Sequence, residues 1–152
     1  MRSPTKLQRL VQTIYSSGCE LHVSKAGAVL VRSTSDPEGA VSFALTQQVS
    51  RQQQPLWSML EDPDSKEAYE GRSALFHQAL GFMDRRIRKK HGERGVELAT
   101  KALCTQRAND ELNRAWNEGS FEEFRAALRE YVQVGLRAAR GEKQAMEMEA
   151  VG

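Results

Sequence analysis

The stretch "RRIRKKHGER", Arg85 to Arg94, is where phosphate chemistry would be sought first. Six of its ten residues are Lys or Arg, and only Glu93 is acidic. Side chains at that density can neutralise several phosphates, and binding of this kind weakens steeply with salt. From Asp84 to Arg107, eight basic residues stand against Asp84, Glu93 and Glu97, a local charge of +5, while Glu61 to Met83 carries −3. The chain as a whole has a formal charge of only +2, so the total conceals the segregation. Local field steers partners more than net charge does. Arg85, Arg86, Arg88, Lys89, Lys90 and Arg94, flanked by Lys101 and Arg107, are therefore candidate nucleic-acid contacts. Such contact would be tolerant of sequence, because the run lacks a base-reading motif and aromatic residues interleaved for stacking. The same run equally suits the solvated C-terminal turns of a helix, where the helix dipole favours cations.

Other chemistry is not signalled. The chain has no Gly-rich phosphate loop, HExxH, CxxC or GxSxG. Cys19 and Cys104 are too isolated for a disulfide framework or a zinc site. Cys104, beside Leu103 on an apolar helix, reads as a buried and inert thiol. His22, His77 and His91 have no metal-ligand spacing, and His22 falls on the solvated side of an extended segment. The expectation is a protein without catalytic residues, metal or cofactor. No apolar run approaches the roughly 20 residues of a membrane span, and the amino terminus has no apolar secretory core. A cytoplasmic protein that does not engage the membrane follows as the simplest reading.

The elements that would position these residues begin with "SPTKLQRLVQTIYSSG". Leu7, Leu10, Val11 and Ile14 recur at helical spacing. Ser3 is placed to cap the helix, Pro4 to occupy its first turn and Gly18 to end it. The period then changes. In "CELHV", Cys19, Leu21 and Val23 alternate with Glu20 and His22; "SKAG" is a turn, and "AVLVR" is an apolar, β-branched return strand. Two strands alone are marginal in water, so this hairpin must lay its apolar face on a helix. Ser42 is expected to cap a helix carrying Phe43, Leu45 and Val49. Pro55 separates it from a last short helix, "PLWSMLED".

The order helix, hairpin, helix, helix, with "LQRLVQTIYSSGCELHV", "GAVLVRS" and "VSRQQQPLWSML", resembles the TubC N-terminal docking domain over residues 4–60. That family is a small αββαα module at the start of some nonribosomal peptide synthetase and polyketide synthase chains. The resemblance implies a protein-binding module whose hairpin receives a peptide as an added strand. Ala28, Val29, Leu30, Val31 and Arg32 are then the candidate protein-binding residues. The plainer reading is a small α+β domain whose hairpin only completes a core.

Beyond residue 61 the pattern is helical. Asp64 or Ser65 can cap a long helix on which Tyr69, Phe76, Leu80, Met83 and Ile87 share a face, with the basic run largely opposite. Gly92 and Gly95 bracket a break, and "TQRAND" bends or splits the next helix. "ELNRAWNEGSFEEFRAALREYV" resembles a single tetratricopeptide-like helical hairpin, without a second copy at that period. Ser120 and Glu123 form a capping box, and Phe124, Ala127, Leu128, Tyr131 and Val132 a new stripe. Trp57 and Trp116 read as core anchors. Gly141 stops the last helix, and residues 142–152 read as a frayed tail. The expected fold is mostly α with one small β-hairpin: an αββαα module (1–61), then a helical hairpin or bundle (62–141). The expected function is a non-enzymatic adaptor that docks a protein or peptide through the hairpin. The alternative is sequence-tolerant nucleic-acid binding. Both together would suit an accessory protein of a mobile element or a larger nucleoprotein assembly.

Overall fold

The computed structural model describes residues 4–36, 38–104 and 107–141. In chain order the elements are α1 (Lys6–Ser16), β1 (Cys19–Val23), β2 (Val29–Ser33), α2 (Phe43–Arg51), α3 (Gln53–Glu61), α4 (Lys66–Cys104), α5 (Arg107–Glu118) and α6 (Phe121–Ala139). The protein is mostly helical, with one antiparallel hairpin among the described residues. It divides into two compact units, Met1–Leu75 and Phe76–Gly152, so the boundary falls inside α4, beyond the expected edge at residue 61.

In the first unit α1 forms because its apolar residues fall on one side: Leu7, Leu10, Val11 and Ile14 are all buried. Its cap is Thr5, two residues beyond Ser3, which lies outside the described residues. The Thr5 hydroxyl accepts from the Gln8 N–H at 3.1 Å, and Gln8 Oε1 accepts from the Thr5 N–H at 3.0 Å. This reciprocal box satisfies two amides at once, and it leaves Pro4 outside the helix. α1 is tied to the start of α4 by side-chain amides: Gln8 Nε2 donates to the Glu70 carbonyl and Gln12 Nε2 to the Ala74 carbonyl, each at 3.2 Å. Ser65 caps α4, its hydroxyl accepting from the Ala68 N–H at 3.0 Å.

The register of the hairpin pairs Cys19 with Ser33, Leu21 with Val31 and Val23 with Val29. Leu21 and Val29 are buried, so the odd-numbered side chains face the core with Leu45, Val49, Leu56 and Met59 from α2 and α3. Gly71 lets α4 approach this core closely, since a Cβ there would overlap the Met59 thioether. Trp57 does not anchor the core as expected. It is 41% exposed, because Leu56 and Met59 take the buried side of α3. Tyr69 is likewise exposed, as its turn of α4 buries Ala68, Gly71 and Leu75 instead. Arg72 is also buried, at 1% exposed.

In the second unit, Met83, Ile87, Ala99 and Leu103 of α4 pack with Val134 and Ala139 of α6. Phe76, Trp116, Phe124 and Tyr131 make an aromatic cluster, with Phe76–Trp116 centroids at 5.3 Å and Trp116–Phe124 at 5.4 Å. Trp116 is thus the one tryptophan that anchors packing. The Ser120 hydroxyl accepts from the Glu123 N–H at 3.1 Å to start α6. α4 ends at Cys104 and α5 begins at Arg107; the expected bend or split at "TQRAND" falls on Thr105 and Gln106, which lie outside the described residues, as do residues 142–152. Cys104 is exposed rather than buried: Leu103 occupies the inward position, and its neighbour points out.

The expected break in the long helix is at Gly92, with φ 65° and ψ −160°. That region of backbone space is essentially reserved for glycine. Gly92→Ala should lower unfolding free energy by about 1–3 kcal/mol in a denaturant titration. A change within error would mean that the helix runs through this position without the break.

Candidate functional site

The two surfaces singled out in the sequence are the outer edge of β2 and the basic face of α4, and each belongs to its own unit. At the hairpin, the flanking bonds fix which backbone groups point inward. Ser24 N–H donates to the Ala28 carbonyl at 2.8 Å and Thr34 N–H to the Gly18 carbonyl at 3.0 Å. Directly opposed residues in an antiparallel pair alternate between bonded and non-bonded pairs. Glu20–Arg32 and His22–Leu30 therefore bond across the ladder. Val29, Val31 and Ser33 turn their N–H and carbonyl groups outward.

One of these outward positions is already closed. Gln53 Oε1 accepts from the Val29 N–H at 2.8 Å, and Gln53 Nε2 donates to the Val29 carbonyl at 2.8 Å. The same Nε2 donates to the Val49 carbonyl at 3.0 Å. A primary amide in this pose makes the two contacts that a residue of an added strand would make. On the other edge, the Tyr15 hydroxyl accepts from the Leu21 N–H at 3.3 Å. Both edges of the sheet are thus partly closed by side chains of the same unit.

The five candidate docking residues consequently differ. Ala28 lies in the turn, before β2, where its N–H donates to Ser24 Oγ at 3.2 Å. Val29 is 1% exposed and held by Gln53. Leu30 and Arg32 point their backbone groups at β1. Val31 alone of the five presents both outward groups without a partner among the described residues, and Ser33 continues that edge.

On the face of the hairpin away from the core, Arg32 Nε donates to Glu20 Oε1 at 2.9 Å, directly across the strands. Beside it stand His22 and Leu30, the latter 45% exposed. His22 Nδ1 is buried and makes no hydrogen bond. Burial, and then the nearby Arg32 guanidinium, hold the His22 imidazole below its ordinary range, with Glu20 opposing. His22 is therefore less solvated than a polar strand face implied.

The basic residues all fall on exposed positions of α4 and α5: Arg85, Arg86, Arg88, Lys89, Lys90, Arg94, Lys101 and Arg107. They are not equivalent. Arg88 is paired with Asp84 at 3.0 Å and also with Glu93, and Arg94 lies 3.7 Å from Glu97. Arg85, Arg86, Lys89 and Lys90 make no ion pair among the described residues, so their charge is not offset locally. By helical spacing these four form one face, and Phe82 lies on it. The ring is 48% exposed, with the Arg86 guanidinium 5.9 Å from its centroid. An aromatic residue thus joins the basic face one turn upstream of the run.

A half-open groove of about 200 Å3 runs between the two arms of α4, walled by Leu80, Met83 and Ile87 on one side and Val96, Ala99 and Leu103 on the other. Its one ionisable group is Asp84, which Arg88 engages. Among the described residues, no group of three His, Cys, Asp or Glu could hold a metal ion, and no helix is long and apolar enough to cross a membrane. Comparison with protein-family models, curated proteins and solved structures returns no match to this chain.

Gln53→Ala removes three hydrogen bonds and leaves the buried Val29 amide without a partner. An unsatisfied buried donor costs about 1–3 kcal/mol. Chemical denaturation of the variant should show a loss of that size, with helix content retained. An unchanged midpoint would mean that water serves Val29 as well as Gln53 does.

Proposed function

We propose that the chain is a non-enzymatic docking protein whose N-terminal module takes up an extended peptide segment of a protein partner at β2. The observation that carries this reading is the free backbone edge at Val31 and Ser33, beside the exposed Leu30 side chain. Strand addition draws its affinity from main-chain hydrogen bonds and its selectivity from alternate side chains. Here the main-chain groups come from Val31 and Ser33, and the side chains a partner would meet are Leu30 and the Glu20–Arg32 pair. The αββαα order adds support, being the order implied by the likeness to TubC docking domains. Leu30, Phe43, Trp57 and Tyr69, four of the five large apolar side chains exposed among the described residues, also lie in this unit.

Proline at position 31 separates docking from folding. The Val31 N–H points away from β1, and an edge strand accepts proline where its amide would face outward. Val31→Pro should keep the far-ultraviolet circular dichroism of the wild type. It should weaken any peptide selected on the wild-type module from a displayed library by about tenfold or more, the equivalent of one lost hydrogen bond. Unchanged affinity would remove the β2 edge from the mechanism.

A second reading, binding of nucleic acid through α4, is favoured by the four cations without acidic partners. Four phosphate contacts to B-DNA give a slope of log K against log salt of about −3.6. Affinity for a short duplex should then fall about 150-fold between about 50 and 200 mM salt. Binding insensitive to salt, or none at the lower concentration, would contradict it.

A further inference from the structure

Phe82, Arg85, Arg86, Lys89 and Lys90 stand at positions i, i+3, i+4, i+7 and i+8 of α4. That spacing places them on one helical face about 12 Å long. The neighbouring carboxylate, Asp84, lies two residues from Phe82 and so on the other side of the helix, where Arg88 holds it at 3.0 Å. The Phe82 ring is half-exposed and lies under the Arg86 guanidinium, within the range of a cation–π contact. A large apolar ring within a field of uncompensated positive charge has no account in the packing of the unit, whose core lies on the Met83 and Ile87 side of the helix.

We propose that this face binds single-stranded nucleic acid, with a base stacked on Phe82 and consecutive phosphates held by Arg85, Arg86, Lys89 and Lys90. The inference rests on the basic-face reading above and narrows its ligand. Phosphate contact alone does not separate duplex from single strand, but the ring does. Bases in a duplex are stacked on one another, whereas those of a single strand offer a π-face to an aromatic side chain, whatever the base. The guanidinium over the ring pre-places one cation next to the stacked base, an arrangement that single-strand sites also use.

The test uses fluorescence anisotropy of the full chain with a 12-nucleotide oligothymidylate and, separately, a 12-base-pair duplex, each across a salt series. For the single strand, four phosphates give a slope of about −2.8, which is about a 50-fold loss between about 50 and 200 mM salt. Phe82→Ala should weaken the single strand by about 5- to 150-fold, the range found for one base–aromatic stack, and Phe82→Trp should restore it. The duplex should respond to neither substitution by more than about twofold. If wild type binds both ligands and Phe82→Ala leaves single-strand affinity unchanged, or weakens both ligands equally, stacking is overturned while the basic face stands. No binding of either ligand at about 50 mM salt overturns the basic face and this inference together.

Discussion

A sheet of two strands is all edge: each strand pairs on one side only and leaves a row of amides and carbonyls on the other. Such rows invite pairing with any passing chain unless something covers them. In this protein the covering is done by individual side chains. Gln53, twenty-four residues from Val29 in sequence, satisfies both outward groups of that residue, and the Tyr15 hydroxyl meets the Leu21 amide. Because Gln53 sits in the first turn of α3 and also reaches the Val49 carbonyl, the same amide fixes the corner between α2 and α3. Closing the edge and positioning the helices behind it are therefore one event. What remains open on β2, Val31 and Ser33, is open because Gln53 reaches only one residue of that strand.

The second unit follows a different rule. Its helices pack by apolar stripes and an aromatic cluster, and its charge is carried outside. α4 can present four unpaired cations there because its apolar residues Met83 and Ile87 turn inward, and because the two acidic neighbours of the run, Asp84 and Glu93, are both taken by Arg88. A single arginine thus absorbs the local negative charge and leaves the rest of the face positive. The glycine break at residue 92 then ends that arm of the helix shortly after the last of the four.

Features set by near neighbours were legible in the sequence. The stripe of α1, the alternation of β1, the turn at Gly27, the serine caps at Ser42 and Ser120 and the break at Gly92 each follow from residues a few positions apart, where period and capping chemistry decide the outcome. Features set by what lies opposite in space were not. Residue type points Trp57 and Cys104 inward and helical spacing points Tyr69 inward, yet each has a neighbour one or more positions away that takes the buried place. Arg72, whose charge would ordinarily keep it outside, is buried. Thr5 caps α1 because Gln8, three residues on, completes a box with it. Of the candidate sites, the basic run was legible in full, but which cations are neutralised required the geometry of Arg88. The closure of Val29 had no sequence signal, since a glutamine in a "QQQ" run does not announce a strand as its partner.

Backbone amide exchange along the hairpin, read residue by residue by nuclear magnetic resonance, tests the central claim most directly. The amides of Leu30 and Arg32, inside the ladder, and of Val29, under Gln53, should exchange slowly, while those of Val31 and Ser33 exchange quickly. Slow exchange at Val31 matching that at Val29 would show the whole edge closed and leave no place for an added strand.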